Sequence, residues 1–169
     1  MVLVKQKYLI LLSLAGFIIC LDQLTKLWVK ANVTEGNVRP LLSWLWATHY
    51  RNKSFAVNLM ERLPTTLQNL FFIAVPVFAL FLIVLIFIKL QDNQMPTSVA
   101  LTSILGGAIG NMIDRIQTGP VLDILQIRLG NWSSAPFNLA DLAISLGVII
   151  VFIYTSLSYR TERQANGGA

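Results

Sequence analysis

From Leu67 to Ile88 the chain carries no ionisable side chain. A helix of that length crosses the roughly 30 Å hydrocarbon core of a bilayer. A soluble domain of 169 residues has no interior large enough to hide such a helix on all sides. The composition agrees, with 55% hydrophobic and only 12% charged residues, too few charges for a water-facing surface. Pro76 inside this segment reads as a tolerated kink, because neighbouring helices re-satisfy the backbone in lipid.

Three other apolar segments share the pattern. The spacing predicts helices at residues 8–29, 67–90, 97–115 and 138–157, all in a single domain over residues 1–169. The fold expected is an all-α polytopic membrane protein with four transmembrane helices and a small sheet-and-loop region outside the bilayer. Lys5 and Lys7 ahead of the first apolar run resemble the start of a secretory signal peptide. Phe17 stands where a lipoprotein cleavage site after Leu14-Ala15-Gly16 would need cysteine, and apolar character resumes after Asp22. The segment is therefore read as a retained first helix. Residues 31–66 and 116–137 form the connecting regions. In the first, Leu42, Trp44 and Trp46 alternate with Ser43, Leu45 and Ala47, and Tyr50 follows. That pattern suggests short strands at the membrane interface, where Trp and Tyr are favoured. Val121–Leu129 reads as extended, residues 130–136 as a loop, and the chain from Ser158 onward as a polar, disordered tail.

Net charge is +5, but the basic residues are scattered, which argues against a nucleic-acid surface. Cys20 is the single cysteine, in an apolar run, and excludes an internal disulfide. His49 is the single histidine and reads as an interfacial loop residue, so neither a zinc cluster nor a serine–histidine mechanism is supported. No cofactor is expected.

The informative groups are acids in or beside apolar segments, where ionisable residues are costly and usually functional. Consecutive spans cross in opposite directions. The end of the first helix, the end of the third and the start of the fourth therefore meet at one face. That face collects Asp22, Lys26, Asn111, Asp114, Arg115, Asn138 and Asp141, with Asp123 in the adjoining loop. Asp22 and Lys26, four apart, read as an ion pair, and Arg115 as a prospective partner of Asp114. Gly106 and Gly110 form a small-xxx-small surface for close helix approach. Gly107, Asn111 and Asp114 read as sharing one face.

Asp123 and Asp141 have no cationic neighbour within four residues. Two carboxylates brought together cannot both ionise easily. The protonated one polarises a carbonyl while the other deprotonates water, which suits peptide hydrolysis without metal or covalent intermediate. Asp141 is equally well read as a first-turn acid favoured at a helix N-terminus, and from spacing alone the two readings stand level. Competing classes are a proton- or ion-conducting subunit and a presenilin-like protease. Both call for acids within spans, and the loop position of Asp123 fits them poorly.

Five motifs in order carry a resemblance. Asp22-Gln23-Leu24-Thr25-Lys26, Asn52 with Phe55-Ala56, Gly106–Arg115, Val121-Leu122-Asp123 and Phe137-Asn138-Leu139-Ala140-Asp141 resemble the lipoprotein signal peptidases, the bacterial type II signal peptidases. The resemblance implies an aspartic endopeptidase of the bacterial inner membrane. Its substrates are prolipoproteins carrying diacylglyceryl on a cysteine, cut just before that cysteine. It implies Asp123 and Asp141 as the catalytic pair. Asp22, Lys26, Asn52, Asn111, Asp114, Arg115 and Asn138 would be supporting or substrate-binding residues. Membrane lipid and lipidated substrate are the implied partners, and the protein is read as a monomer. The resemblance also implies cytoplasmic termini, a periplasmic active site and a periplasmic location for the small sheet. A raw count of Lys and Arg gives the opposite orientation. One departure is Asn52-Lys53-Ser54-Phe55-Ala56-Val57, where the family usually has Asn-x-Gly-Ala-Ala and an aromatic. Ser54 lacks the backbone freedom of glycine.

Overall fold

A computed structural model of the chain describes residues 5–52 and 64–166. Among them are four long helices: α1 (Gln6–Asn32), α2 (Thr65–Lys89), α3 (Met95–Thr118) and α4 (Leu139–Asn166). Strands β1 (Val38–Pro40), β2 (Leu45–Asn52), β3 (Val121–Leu129) and β4 (Trp132–Ser133) form one antiparallel sheet in chain order.

By length and composition α1, α2 and residues 139–158 of α4 can each cross a membrane. The fourth expected span, α3, is not among those three helices. The reason is its surroundings. Ser98, Thr102, Ser103, Asn111 and Asp114 on α3 are buried, because the other helices pack around it. A helix enclosed by protein needs no apolar exterior. The outer helices do the opposite and expose Leu24, Phe71, Phe78, Phe81, Leu146 and Phe152. A water-soluble protein does not sustain so much exposed apolar surface, whereas lipid accepts it.

Glycines set the closeness of the bundle. A Cβ on Gly106 would lie 3.1 Å from the Ala15 Cα of α1, and one on Gly110 would lie 2.8 Å from Asp22 Oδ2. Both expected close approaches are therefore made, and both face α1. Gly107 faces α4, where a Cβ would strike the Ala140 carbonyl oxygen, and Gly147 of α4 returns the contact at 2.6 Å from Ala100 O. The supposed common face of Gly107, Asn111 and Asp114 is thus divided. Asp114 continues the Gly106–Gly110 line toward α1, and Gly107 belongs to the α3–α4 seam. Gly107→Ala is expected to destabilise by about 1–3 kcal/mol through overpacking, read as a lowered unfolding temperature in detergent. Gly106→Ala should cost less, because its neighbours need to yield by only a few tenths of an ångström.

At one end of the bundle Lys7 is buried, and its Nζ donates to Ile88 O (3.1 Å) and Leu90 O (2.6 Å) at the end of α2. Lys5 pairs with Asp92 at 3.0 Å. The start of α1 and the α2–α3 turn therefore share an end, as parity requires. Lys7 is less a topology-setting charge than a donor that satisfies free carbonyls at a helix C-terminus. Two features differ from expectation toward the ends of the chain. Leu11–Ala15 of α1 is a π-helical stretch, and α4 continues to Asn166 in place of the disordered tail expected there. Arg160, Glu162, Arg163, Gln164 and Ala165 are good helix formers, so the helix propagates.

The sheet sits against the end of α1, with Val29, Val33, Ala47, Leu122 and Ile124 as a shared core. The first long strand runs over Leu45–Asn52, later than the expected alternation. His49 is therefore buried in a strand and not placed in an interfacial loop, with its Nδ1 2.7 Å from Val33 O. The expected loop at 130–136 contains β4, paired to β3 across Gly130 at φ +58°. The departure at Ser54, with Phe55-Ala56 of the same motif, lies outside the described residues.

Candidate active site

The acids expected at one face do converge, in two connected groups. The first lies between α1 and α3. Lys26 Nζ is 2.7 Å from Asp22 Oδ2 and 2.7 Å from Asp114 Oδ2, and it donates to Asn111 Oδ1 at 3.3 Å. All three ammonium protons thus have acceptors. Asp22 does more than pair with Lys26, since its Oδ1 accepts the Ala140 backbone N–H at 3.0 Å. That N–H is one of the first-turn donors of α4, which have no partner within the helix. Asp114 also accepts the Leu122 N–H at 3.1 Å, which ties the entry of β3 to α3.

The second group lies where β3 meets the start of α4. Asn138 immediately precedes the helix. Its Oδ1 accepts the Asp141 N–H at 2.8 Å, and its own N–H donates to Asp141 Oδ2 at 3.2 Å. This is a reciprocal capping box, so the helix-start reading of Asp141 is realised in part. Asn138 Nδ2 meanwhile donates to Asp123 Oδ1 at 3.0 Å. One asparagine therefore touches both carboxylates, one from a strand and one from a helix. Asn52, at the end of β2, donates to Asp123 Oδ2 at 2.9 Å.

Asn111 joins the two groups. It accepts from Lys26 and donates to Asp141 Oδ1 at 2.8 Å. The charge arrangement at Lys26 is thereby transmitted to the orientation of Asp141.

Burial separates the two acids that Asn138 bridges. Asp123 is 1% exposed, while Asp141 is half-buried. Desolvation is the largest influence on Asp123, and the nearby Asp141 charge adds to it. Hydrogen bonds from Asn52 and Asn138 and the charge of Lys26 oppose them. The net result is a carboxyl whose pKa is raised to about 6, so it keeps its proton well above the usual carboxylate range.

Arg115 departs from expectation. Asp114 pairs with Lys26, and Arg115 forms no ion pair among the described residues. It is half-buried within electrostatic reach of Asp141 and Asp114. Successive residues on a helix point about 100° apart, so Asp114 and Arg115 cannot both face Lys26. Two participants in the site go beyond those expected from the sequence. Gln23 Nε2 donates to Gly110 O at 3.1 Å and Asp22 Oδ2 at 3.2 Å. Its signal is a polar residue at the depth of Asp22. The Ala140 N–H is backbone and leaves no trace in a sequence.

A family model described as signal peptidase (SPase) II matches residues 14–157. The lipoprotein signal peptidase of Listeria monocytogenes serotype 4a (strain HCC23) is 36% identical over 157 residues, covering 92% of this chain and 97% of that protein. The lipoprotein signal peptidase of Syntrophus aciditrophicus (strain SB) is 32% identical over 150 residues, covering 88% of this chain and 93% of that protein. A solved bacterial membrane enzyme, determined by the in meso method, matches with a TM-score of 0.76 at 28% identity, over 90% of this chain and 93% of its own. The chain therefore belongs to the signal peptidase II family, the membrane proteases of lipoprotein processing.

Proposed function

We propose that this protein removes the signal peptide from diacylglyceryl-modified prolipoproteins by aspartic catalysis, cutting just before the lipidated cysteine. The observation that carries the reading is Asn138, which hydrogen-bonds both Asp123 and Asp141 while burial leaves the proton on Asp123. In this reading a water lies between the two acids. Ionised Asp141 takes a proton from the water as its oxygen attacks the scissile carbonyl carbon. Protonated Asp123 donates to the carbonyl oxygen, giving a neutral tetrahedral diol. The proton on Asp141 then passes to the leaving nitrogen, the C–N bond breaks, and a diol proton returns to Asp123. Asp22, Lys26, Asn111 and Asp114 hold Asp141 and the α4 start in place. Arg115, a half-buried cation beside the pair, and Asn52 contact the substrate.

The same reading makes α3 the fourth span, shielded from lipid by the others. The protein would be a monomer in the bacterial inner membrane, with cytoplasmic termini and the sheet and acids on the periplasmic side. The exposed apolar faces of α1, α2 and α4 support a substrate held partly in lipid.

The test is gel-shift cleavage of a diacylglyceryl prolipoprotein beside its unlipidated form. Product is expected from the lipidated protein alone, with an N-terminal lipidated cysteine. Equal cleavage of both forms, or of neither, would overturn the assignment.

A further inference from the structure

We propose that Tyr50 is a substrate-contacting positioning residue: its ring forms the wall of the site beside Asp123, against which an apolar side chain of the peptide flanking the scissile bond packs. The inference deepens the function proposed above and rests on it.

The register carries it. Between Leu45 and Ala47 strand β2 pairs with β3 in one phase, with Ala47 opposite Leu125. Continued unbroken, that phase would set His49 opposite Asp123. The ladder instead slips between Ala47 and Tyr50, and from there Tyr50 stands opposite Asp123 and Asn52 opposite Val121. A bulge of one residue re-aims the side chains beyond it, and bulges recur beside active sites. Here it turns His49 into the core, toward Val33 O, and brings a tyrosine to the acid.

Directly opposed residues of an antiparallel pair project from the same face, with Cβ atoms about 4.5–5.5 Å apart. Asn52, two residues on from Tyr50, marks the face, because it reaches Asp123 Oδ2 at 2.9 Å. Tyr50, Asn52 and Asp123 therefore share one surface. Asp123 is 1% exposed, whereas Tyr50 is 50% exposed. Among the described residues the Tyr50 ring stacks on no other ring, and its hydroxyl takes no side-chain hydrogen bond. A large ring stands open beside an acid that is closed over. An open aromatic face offers an apolar side chain a large contact area.

An interfacial tyrosine that only anchors the sheet in the headgroup region is the alternative, and substrate coupling separates the two. Cleavage of lipidated peptides would be measured for wild type, Tyr50→Phe and Tyr50→Ala. Each apolar residue flanking the cut would in turn be replaced by alanine. Tyr50→Phe is expected to keep KM within about 2-fold, and Tyr50→Ala to raise it about 10-fold with a smaller change in kcat. The Tyr50→Ala penalty should vanish on one alanine-substituted peptide, since the interaction is then already absent. An unchanged KM for Tyr50→Ala, or an equal penalty on every peptide, overturns the proposal. In the second case the residue anchors the sheet. Asp123→Asn in the same assay keeps the two readings apart. Its inactivity beside an unaffected Tyr50→Ala removes only the role of Tyr50.

Discussion

Asp123→Asn and Asp141→Asn are each expected to slow cleavage of a diacylglyceryl prolipoprotein by about 10³-fold or more while the protein stays inserted and folded. On the proposed mechanism each variant loses one half of the proton exchange, and a positioned acid or base is worth about 10²–10⁴-fold. Folding should barely notice the change at Asp123. Its pKa is raised to about 6 from 3.8, so the proton is bound more tightly in the folded state. That contribution is fully present below the ordinary pKa and is lost as pH rises through about 6. At pH 8 the wild type carries a buried charge that asparagine removes. Against this, asparagine has one acceptor oxygen where Asp123 has two, each already taken by an amide. The two effects oppose, and the unfolding temperature is expected to shift by less than about 5 °C. The pH profile gives a second reading. For wild type, kcat/KM is expected to fall on the basic side with an apparent pKa of about 6, the value to which burial raises Asp123. The limb in kcat is expected to lie higher, because bound peptide would exclude more water from Asp123. Activity that stays flat from pH 5 to 8 would remove Asp123 as the proton holder.

Much of this arrangement is legible in the residues themselves. Acids are costly in lipid, so their positions relative to apolar segments locate the face where they meet, by parity alone. Asp22, Lys26, Asn111, Asp114, Asn138, Asp123 and Asp141 all connect there. The pairing is less legible. Arg115 follows Asp114 in the chain, but helical rotation gives Asp114 to Lys26. The role of α3 is also hidden. The segment reads as one more apolar span with a small-residue face, whereas its buried Ser98, Thr102 and Ser103 make it the enclosed centre of the bundle. His49 eludes an alternating pattern because a bulge leaves no mark in one, and one extra residue inverts every face that follows. Contacts made by backbone, such as Ala140 to Asp22, have no residue signature.

Lys26→Met should be the most damaging single change outside the pair of acids. Asp22 and Asp114 are 0% and 2% exposed, and both lie 2.7 Å from the same ammonium. Removing it leaves two buried carboxylates facing each other without a cation. Breaking a buried pair in this way costs about 3–5 kcal/mol, roughly 10 °C in unfolding temperature for a chain of this size. Asn111 would lose its orienting donor as well, so cleavage falls even in molecules that fold. Adding Asp22→Asn and Asp114→Asn to Lys26→Met removes the stranded charges. It should recover much of the thermal stability without restoring activity. Thermal unfolding in detergent, run with the cleavage assay, separates these outcomes. A single Lys26→Met protein as stable as wild type would show that the cluster holds nothing together.

The hydrogen bond from Ala140 to Asp22 spans 118 positions of the chain, and it bears on the order in which the protein assembles. α1 and α3 can join through Lys26 as soon as both have been made. Two carboxylates then share one ammonium, and the early bundle holds an uncompensated negative charge. The N-terminus of a helix carries about half a positive charge, and the helix that brings it is α4, the last to be synthesised. The three earlier helices thus present an acceptor for that helix end, and the arrival of α4 offsets part of the charge through its first-turn N–H, starts that helix at a fixed residue and delivers Asp141 in a single event. The bundle becomes a complete site only when the end of the chain docks against its beginning.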